Sequence, residues 1–432
     1  MRRVLILCFW CGLLPWGAQA ADLLAVYRMA LANDADYAAA RADLQAGQER
    51  AVQGRAGLLP EVGLLGSSGR HNVDPSGAPS QSYNSNAWSV QLTQPLFRPR
   101  QLAEARQGVL QTDLAAVRFG QAHQELMLRV AQAYFDVLNA EDALETLTQL
   151  REAAAEQLEI AQFSFEVGTV TVTDVHEAQS RFDLAGAQVI AADAALDVAR
   201  DVLIRIVGED PGDLSGLRED VRFILPEPAS AESWAESARV GSHEVLARLL
   251  MQDIAAREVE RARAGHLPTL DLVASHGRSH RQNTALGPRT EASMLGLQFN
   301  LPLYAGGALS SLSREAAALK TRADADVESA RRGAALAARE AYLGVSSGLA
   351  RIRALQAAEV SSLSALEANR MGYEVGVRIN IDVLNSLSQL ADTRQQLARA
   401  RYDTLIAQLR LKAASGALDE PDLERVNLLL EP

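Results

Sequence analysis

Two stretches of the chain, about 208 positions apart, carry nearly the same residues. One reads Phe165-Glu-Val-Gly-Thr169 and then Thr173-Asp-Val175; the other reads Tyr373-Glu-Val-Gly-Val377 and then Ile381-Asp-Val383. The same shift pairs Leu59-Pro60 with Leu267-Pro268, Ala133-Tyr134 with Ala341-Tyr342, and Gly208 with Gly416. A unit of roughly 200 residues therefore occurs twice, and each copy must carry one architecture. The expected division is a first copy over 21–210, a connector over 211–228, a second copy over 229–416 and a tail over 417–432.

Within each copy the order of parts repeats. A helical segment comes first, about 22–57 and 230–265, rich in Ala, Arg, Glu and Gln. Each ends near a glycine followed by Leu-Pro, a helix stop. Two short alternating runs follow. Trp88, Val90 and Leu92 alternate with Ser89, Gln91 and Thr93; Leu295, Leu297, Phe299 and Leu301 alternate with Gly296, Gln298 and Asn300. Period two with one polar side predicts strands whose faces meet different surroundings. Their partners, around 60–70 and 268–278, alternate less cleanly. The intervening loops are expected over about 71–86 and 279–292.

Proline then disappears between Pro99 and Pro211, and again between Pro302 and Pro421. Proline in a helix interior costs about 3 kcal/mol, so such gaps mark long helices. Apolar residues in the first gap fall at steps of three and four, from Leu126 through Val130, Ala133 and Val137 to Phe165. That is a coiled-coil stripe. The Val167-Gly168 step interrupts it, and a second helix resumes near Asp174. Each gap thus reads as a helical hairpin, with a first arm of roughly 65 residues and a second of roughly 35.

Residues 1–20 read as a secretory signal, the alternative being a retained anchor. Arg2 and Arg3 precede a short apolar run, and Ala18-Gln-Ala20 is a cleavage pattern. Both cysteines, Cys8 and Cys11, lie inside this segment, so the processed chain would hold no disulfide. Its loss would move the formal net charge from −12 to −14. That acidic balance argues against nucleic acid as a partner. No later run is apolar and long enough for a transmembrane helix, so any membrane role must come through strands.

Four strands of about ten residues have the length to cross a bilayer but cannot close a barrel. Two chains would supply about eight strands and three about twelve, and only the larger number leaves a wide lumen. The alternatives are two soluble hairpins on a helical periplasmic protein, a soluble periplasmic coiled-coil adaptor or scaffold, which would lack amphipathic strands, and a secreted enzyme, which would need a polar catalytic cluster.

The two tip segments, Phe165 to Val175 and Gly372 to Leu384, together with the run from Ala400-Arg-Tyr-Asp403 through Leu409, Gly416, Leu418 and Asp422, resemble the TolC family of outer-membrane channel-tunnels. The likeness extends over essentially all of the processed sequence. It implies an α+β membrane protein: a homotrimer in the outer membrane of a Gram-negative bacterium, with four strands per chain in a 12-stranded barrel and long helices in a coiled-coil tunnel through the periplasm. The connector and tail would form a belt around that tunnel. The partners implied are a periplasmic adaptor, an inner-membrane transporter (ABC or proton-driven) and outer-membrane lipid. The C-terminal likeness points to type I protein secretion, with small-molecule efflux second.

Family roles carry to matching positions. Val167, Gly168 and Thr169, with Val375, Gly376 and Val377, would be adaptor-docking tips. Asp174, Tyr373 and Arg378 would form gate links holding the tunnel end closed. Asp382 would sit at the pore constriction, and Asn385 stands where the family's second acidic position falls, which weakens the case for strong cation selectivity. Asp382 could instead cap the helix that follows it, as could Asp174 in the other copy.

No catalytic residue is expected: a phosphate-binding glycine loop, G-x-S-x-G and H-E-x-x-H are all missing from the sequence. No cofactor is implied. His276 and His280 have a metal-like spacing but fall at a strand end, so no metal site is expected. His176 reads as a solvated helix residue.

Overall fold

A computed structural model describes residues 20–74, 76–77, 79–218, 220–281 and 289–431. Apart from Ala20, the expected signal segment lies outside them. The elements run α1 (Leu23–Asn33), α2 (Ala35–Ala56), β1 (Glu61–Val73), β2 (Gln81–Phe97), α3 (Pro99–Glu166), α4 (Val172–Val207), α5 (Ala231–Gly241), α6 (His243–Ala264), β3 (Thr269–Arg281), β4 (Arg289–Asn300), α7 (Ala308–Glu374), α8 (Asn380–Ala414) and α9 (Glu420–Asn427). The proline-free gaps are helical hairpins with arms of 68 and 36 residues and of 67 and 35 residues.

Three details depart from expectation. The segments 22–57 and 230–265 are each two helices, divided at Asp34 and at Ser242. Asp34 leaves helical geometry, and its carboxylate accepts the Tyr37 N–H at 2.7 Å, so it caps the second helix of the pair. The strands run further into the expected loops than composition suggested. Residues such as Asn72 and Ser82 look loop-like but still pair, because the ladder uses backbone groups. The polar tail folds as α9, opened by a capping box between Asp419 and Asp422 and by Pro421 in its first turn.

The chain divides into two units, described separately. The first contains residues through Ala38, His123–Trp234, and the chain from Ala338 onward. α1 packs its buried Leu23, Val26, Tyr27 and Ala30 toward α4 and α9. The Tyr134 hydroxyl donates to the Ser215 carbonyl at 2.7 Å, and the Tyr134 and Phe135 rings meet edge to face. The connector and the tail lie together: Leu217 bridges Leu430, and the Glu431 N–H donates to the Gly216 carbonyl at 2.8 Å. Asp422, 4% exposed, pairs with Lys412 and Arg425 and holds α9 onto the end of α8.

The second unit contains Ala39–Ala122 and Ala235–Ala337. Its core element is one antiparallel sheet in the order β1-β2-β3-β4, with β1 and β4 as edges. Pro95 lies at a register shift in β2, where the missing N–H does not break the ladder. Across the ladders, paired residues share a face. One face carries Val62 and Leu64 of β1, Val90 and Leu92 of β2, Leu270 and Leu272 of β3, and Leu295, Leu297 and Phe299 of β4. The other carries Gly63, Ser67, Ser89, Gln91, Ser275, Gly277, Gly296 and Gln298. Leu65, Val73, Val273 and Met294 break the second set, which is why β1 and β3 alternate less cleanly. At the helix-bearing end Arg98 grips Asp271 through two bonds, 2.7 Å and 2.9 Å, tying the end of β2 to β3. α2 and α3 pack tightly there: a Cβ on Gly108 would stand 2.4 Å from the Arg50 carbonyl oxygen.

Candidate functional site at the helical tips

Both hairpin tips are built by the same backbone device. At the first, Gly168 takes φ 79°, its N–H donates to the Phe165 carbonyl at 2.9 Å, and the Thr169 N–H donates to the Ser164 carbonyl at 2.9 Å. At the second, Gly376 takes φ 77°, its N–H donates to the Tyr373 carbonyl at 3.0 Å, and the Val377 N–H donates to the Gly372 carbonyl at 2.8 Å. This is a left-handed helix stop, and it explains the repeated Val-Gly pair. A Cβ at either glycine would meet nothing within 4 Å, so the backbone angle alone demands glycine. The neighbouring side chains point into open space: Val167 is 58% exposed, Val375 70% and Val377 79%.

The tips belong to hairpins packed against one another. Ala154, Leu158 and Ala161 of α3 form one cluster with Ala178 of α4 and Leu384 of α8. Tyr373 packs against Leu366, Val383, Leu387 and Leu390. An open groove between the hairpins is lined by Thr169, Asp174, Tyr373, Gly376, Arg378 and Asn380, among others. It gathers residues of the expected docking and gate sets, but Asp174 and Arg378 do not bond to each other in this chain. Asp174 closes a capping box with Thr171, accepting its N–H at 2.8 Å and its hydroxyl at 2.7 Å. The Thr171 hydroxyl and N–H hold the Asp174 carboxyl below the ordinary carboxylate value. Arg378 lies 3.7 Å from Asp382, one helical turn on. Both side chains are partly exposed, so the pair contributes about 0.3–0.5 kcal/mol at most. Asp382 does not repeat the capping role: Ile379, the residue that precedes α8, has no hydrogen-bonding side-chain group with which to complete a box. Asn385 is exposed and accepts from the Arg181 guanidinium at 2.8 Å, joining α4 to α8.

The outer membrane efflux protein family model matches residues 26–209 and again 234–417. The chain belongs to that family. It is 35% identical to the alkaline protease secretion protein AprF of Pseudomonas aeruginosa over 99% of this chain and 91% of the relative. It is 33% identical to the outer membrane protein TolC of Escherichia coli over 95% of this chain and 85% of that protein. The crystal structure of the outer membrane protein VceC of Vibrio cholerae has the same fold, at a TM-score of 0.77 and 19% identity, with 91% of this chain and 96% of that one covered. This efflux-family chain is an outer-membrane protein with the TolC-like channel fold.

Two features of this family member, one in the groove and one beyond it, were not singled out from the sequence. Asn380 is 3% exposed, donates to the Gln157 carbonyl at 3.4 Å and leaves its own side-chain oxygen without a partner among the described residues. Its place directly after the tip, at the first turn of α8, was the available signal. Arg181 was also missed, because it lies a full turn beyond the tip motif. His276 and His280 lie four residues apart along β3, roughly 13 Å of strand, so they do not converge on one ion. His176 is exposed.

Proposed function

We propose that this chain is the exit duct of a tripartite export system. Three copies would join their sheets into a barrel of about twelve strands, and the long helices would form the tunnel in the periplasm. An inner-membrane transporter, ABC or proton-driven, would load the duct through a periplasmic adaptor. One observation carries the reading: a four-stranded sheet with an apolar face and two open edges. Such a sheet leaves unpaired amides in lipid at several kcal/mol each unless other copies complete the ring. An eight-stranded ring is filled by its own side chains, whereas about twelve strands leave a passage.

Type I protein secretion is the favoured traffic, supported by the near full-length likeness to AprF. Small-molecule efflux is the second reading, supported by the family's own description. The element order helix, helix, strand, strand, long helix, shorter helix occurs in both halves and supports a duplicated ancestor. The paired connector and tail suit a belt. In this reading Val167, Gly168, Thr169, Val375, Gly376 and Val377 meet the adaptor, Asp174, Tyr373 and Arg378 restrain the closed end, and Asp382 rings the constriction.

The test is deletion of the gene in its own host. The expected result is loss of one or more secreted proteins from the medium, with the detergent-extracted protein migrating as a heat-sensitive trimer. Unchanged secretion with increased sensitivity to small toxic compounds would move the assignment to efflux. A processed protein that stays monomeric and free of membranes would defeat both.

A further inference from the structure

The apolar face of the sheet has a basic border at the hairpin end. Trp88 pairs with Arg278, which pairs with Glu291. One pairing step nearer the hairpins, on the same face, His280 pairs with Arg289, and a step beyond that stands Arg70. His276 lies one step below Arg278, 5.8 Å from the Trp88 ring. Among the described strand residues, this face thus holds Arg70, Arg278, Arg289, His276 and His280 against the single acid Glu291. The chain as a whole is acidic, so the sign is locally reversed.

The height of this border is informative. Phe97 and Phe299 both pair with Leu270 at the helix-bearing end. From Leu270 to Arg278 is roughly 26 Å of strand at ~3.3 Å per residue. An outward apolar band in membrane barrels is about 25 Å tall and edged by aromatic residues, and strand tilt brings this one nearer ~20 Å, suiting a thin membrane. Phe97 with Phe299 and Trp88 then mark its two edges. The arginines start where the hydrocarbon ends, and long side chains there reach outward to the polar layer.

Their partners within the chain leave most of this charge unused. Arg278 donates to Glu291 at 2.7 Å, His276 Nε2 lies 3.6 Å from the same carboxylate, and among the described residues Arg70 donates to the Ser82 hydroxyl alone, at 3.3 Å. Arg289 forms no ion pair among the described residues, and His280 Nδ1 has no hydrogen-bond partner there.

We propose that this border binds the phosphate groups of anionic lipids in the outer leaflet, clamping each subunit to the membrane surface beside the hairpin loops. The proposal rests on the barrel reading, which directs this face to lipid and the hairpin end outward. Guanidinium groups hold phosphate through paired charge-assisted bonds, and neutral headgroups supply no such net charge complement.

The experiment uses purified trimers in phosphatidylcholine vesicles with or without phosphatidic acid, and follows the temperature at which trimers dissociate. Phosphatidic acid should raise that temperature by about 5 °C by binding the native trimer. Arg70→Gln with Arg278→Gln and Arg289→Gln should abolish the rise while trimers persist in plain phosphatidylcholine. The matching triple lysine variant should retain most of it, and molar salt should erase it in the unaltered protein. The salt and lysine arms decide the matter even if the glutamine variant fails to assemble. No rise in the unaltered protein, an equal rise in the glutamine variant, or equal protection by inorganic phosphate would overturn the proposal while leaving the barrel intact. A chain that enters neither vesicle defeats the barrel reading itself, and the lipid clamp with it.

Discussion

At the residue scale, two aspartates in equivalent slots do different work. Asp174 completes a box because Thr171 precedes it; Asp382 cannot, because Ile379 stands where the threonine would be. Asp174→Ala should therefore weaken the first turn of α4 by about 1 kcal/mol, read as faster amide exchange at residues 172–175, whereas Asp382→Ala should leave the first turn of α8 unchanged. The carboxyl of Asp174 titrates below its ordinary value, so the folded state favours the charged form. The cap's contribution is complete above the ordinary value, about 3.9, and disappears as pH falls through the lowered one. Amide protection at the tip should be the same at neutral and mildly acidic pH and fall only below that range. Arg378→Glu would place a negative charge beside Asp382. Single-channel conductance in planar bilayers should rise if Arg378 restrains the closed end; an unchanged conductance would remove it from the gate. The contrast between Thr171 and Ile379 was legible in the sequence, but equal spacing in the two copies concealed it.

At the element scale, α1, α2 and α3 meet around His123. Its Nε2 lies 3.2 Å from the Tyr27 hydroxyl, and its Nδ1 lies 3.2 Å from the Tyr37 hydroxyl. Burial lowers the His123 pKa, partly opposed by the carboxylates of Glu420 and Asp419. A lowered folded value means the unfolded chain takes up the proton first. The stabilising share is whole above the ordinary histidine value, about 6.5, and is lost as pH falls through the lowered one. Thermal stability should therefore decline from pH 7 to pH 5, and His123→Gln should flatten that slope. The tail helix offers a second test. Leu423 is fully buried, so Leu423→Ala should cost about 2–5 kcal/mol and lower the temperature at which the assembly dissociates. Helix length was readable from the missing prolines, and the capping box at Asp419 and Asp422 was readable as a helix start. The break at Asp34 was not, since alanine-rich sequence on both sides keeps one helical composition across it. The pairing of β2 with β3 was also hidden: it joins strands about 180 residues apart, and nothing in either hairpin names its neighbour.

At the scale of the whole molecule, docking and turn formation must be separated. Replacing Gly168 or Gly376 strains a backbone at φ 79° or 77°, about 1–2 kcal/mol for any other residue, so lost export would be ambiguous. Val167→Asp with Val375→Asp alters only exposed side chains. Export should fall at least tenfold while heat-sensitive trimers remain in the outer membrane; full export would exclude these positions from the adaptor contact. The family and the duct-like layout were legible because the tip motif occurs twice and the strands alternate. The proposed subunit number rests only on an indirect sign, a sheet too narrow to close.

That narrow sheet has a genetic corollary. In the proposed trimer the wall is shared, so a damaged allele is not recessive by default. Suppose a subunit with a damaged β1 or β4 edge is made beside the normal one in equal amounts. In a ring of three, only about one assembly in eight would escape it by chance. Alleles altered at the seam should therefore poison export when co-expressed, whereas alleles that merely prevent synthesis should not.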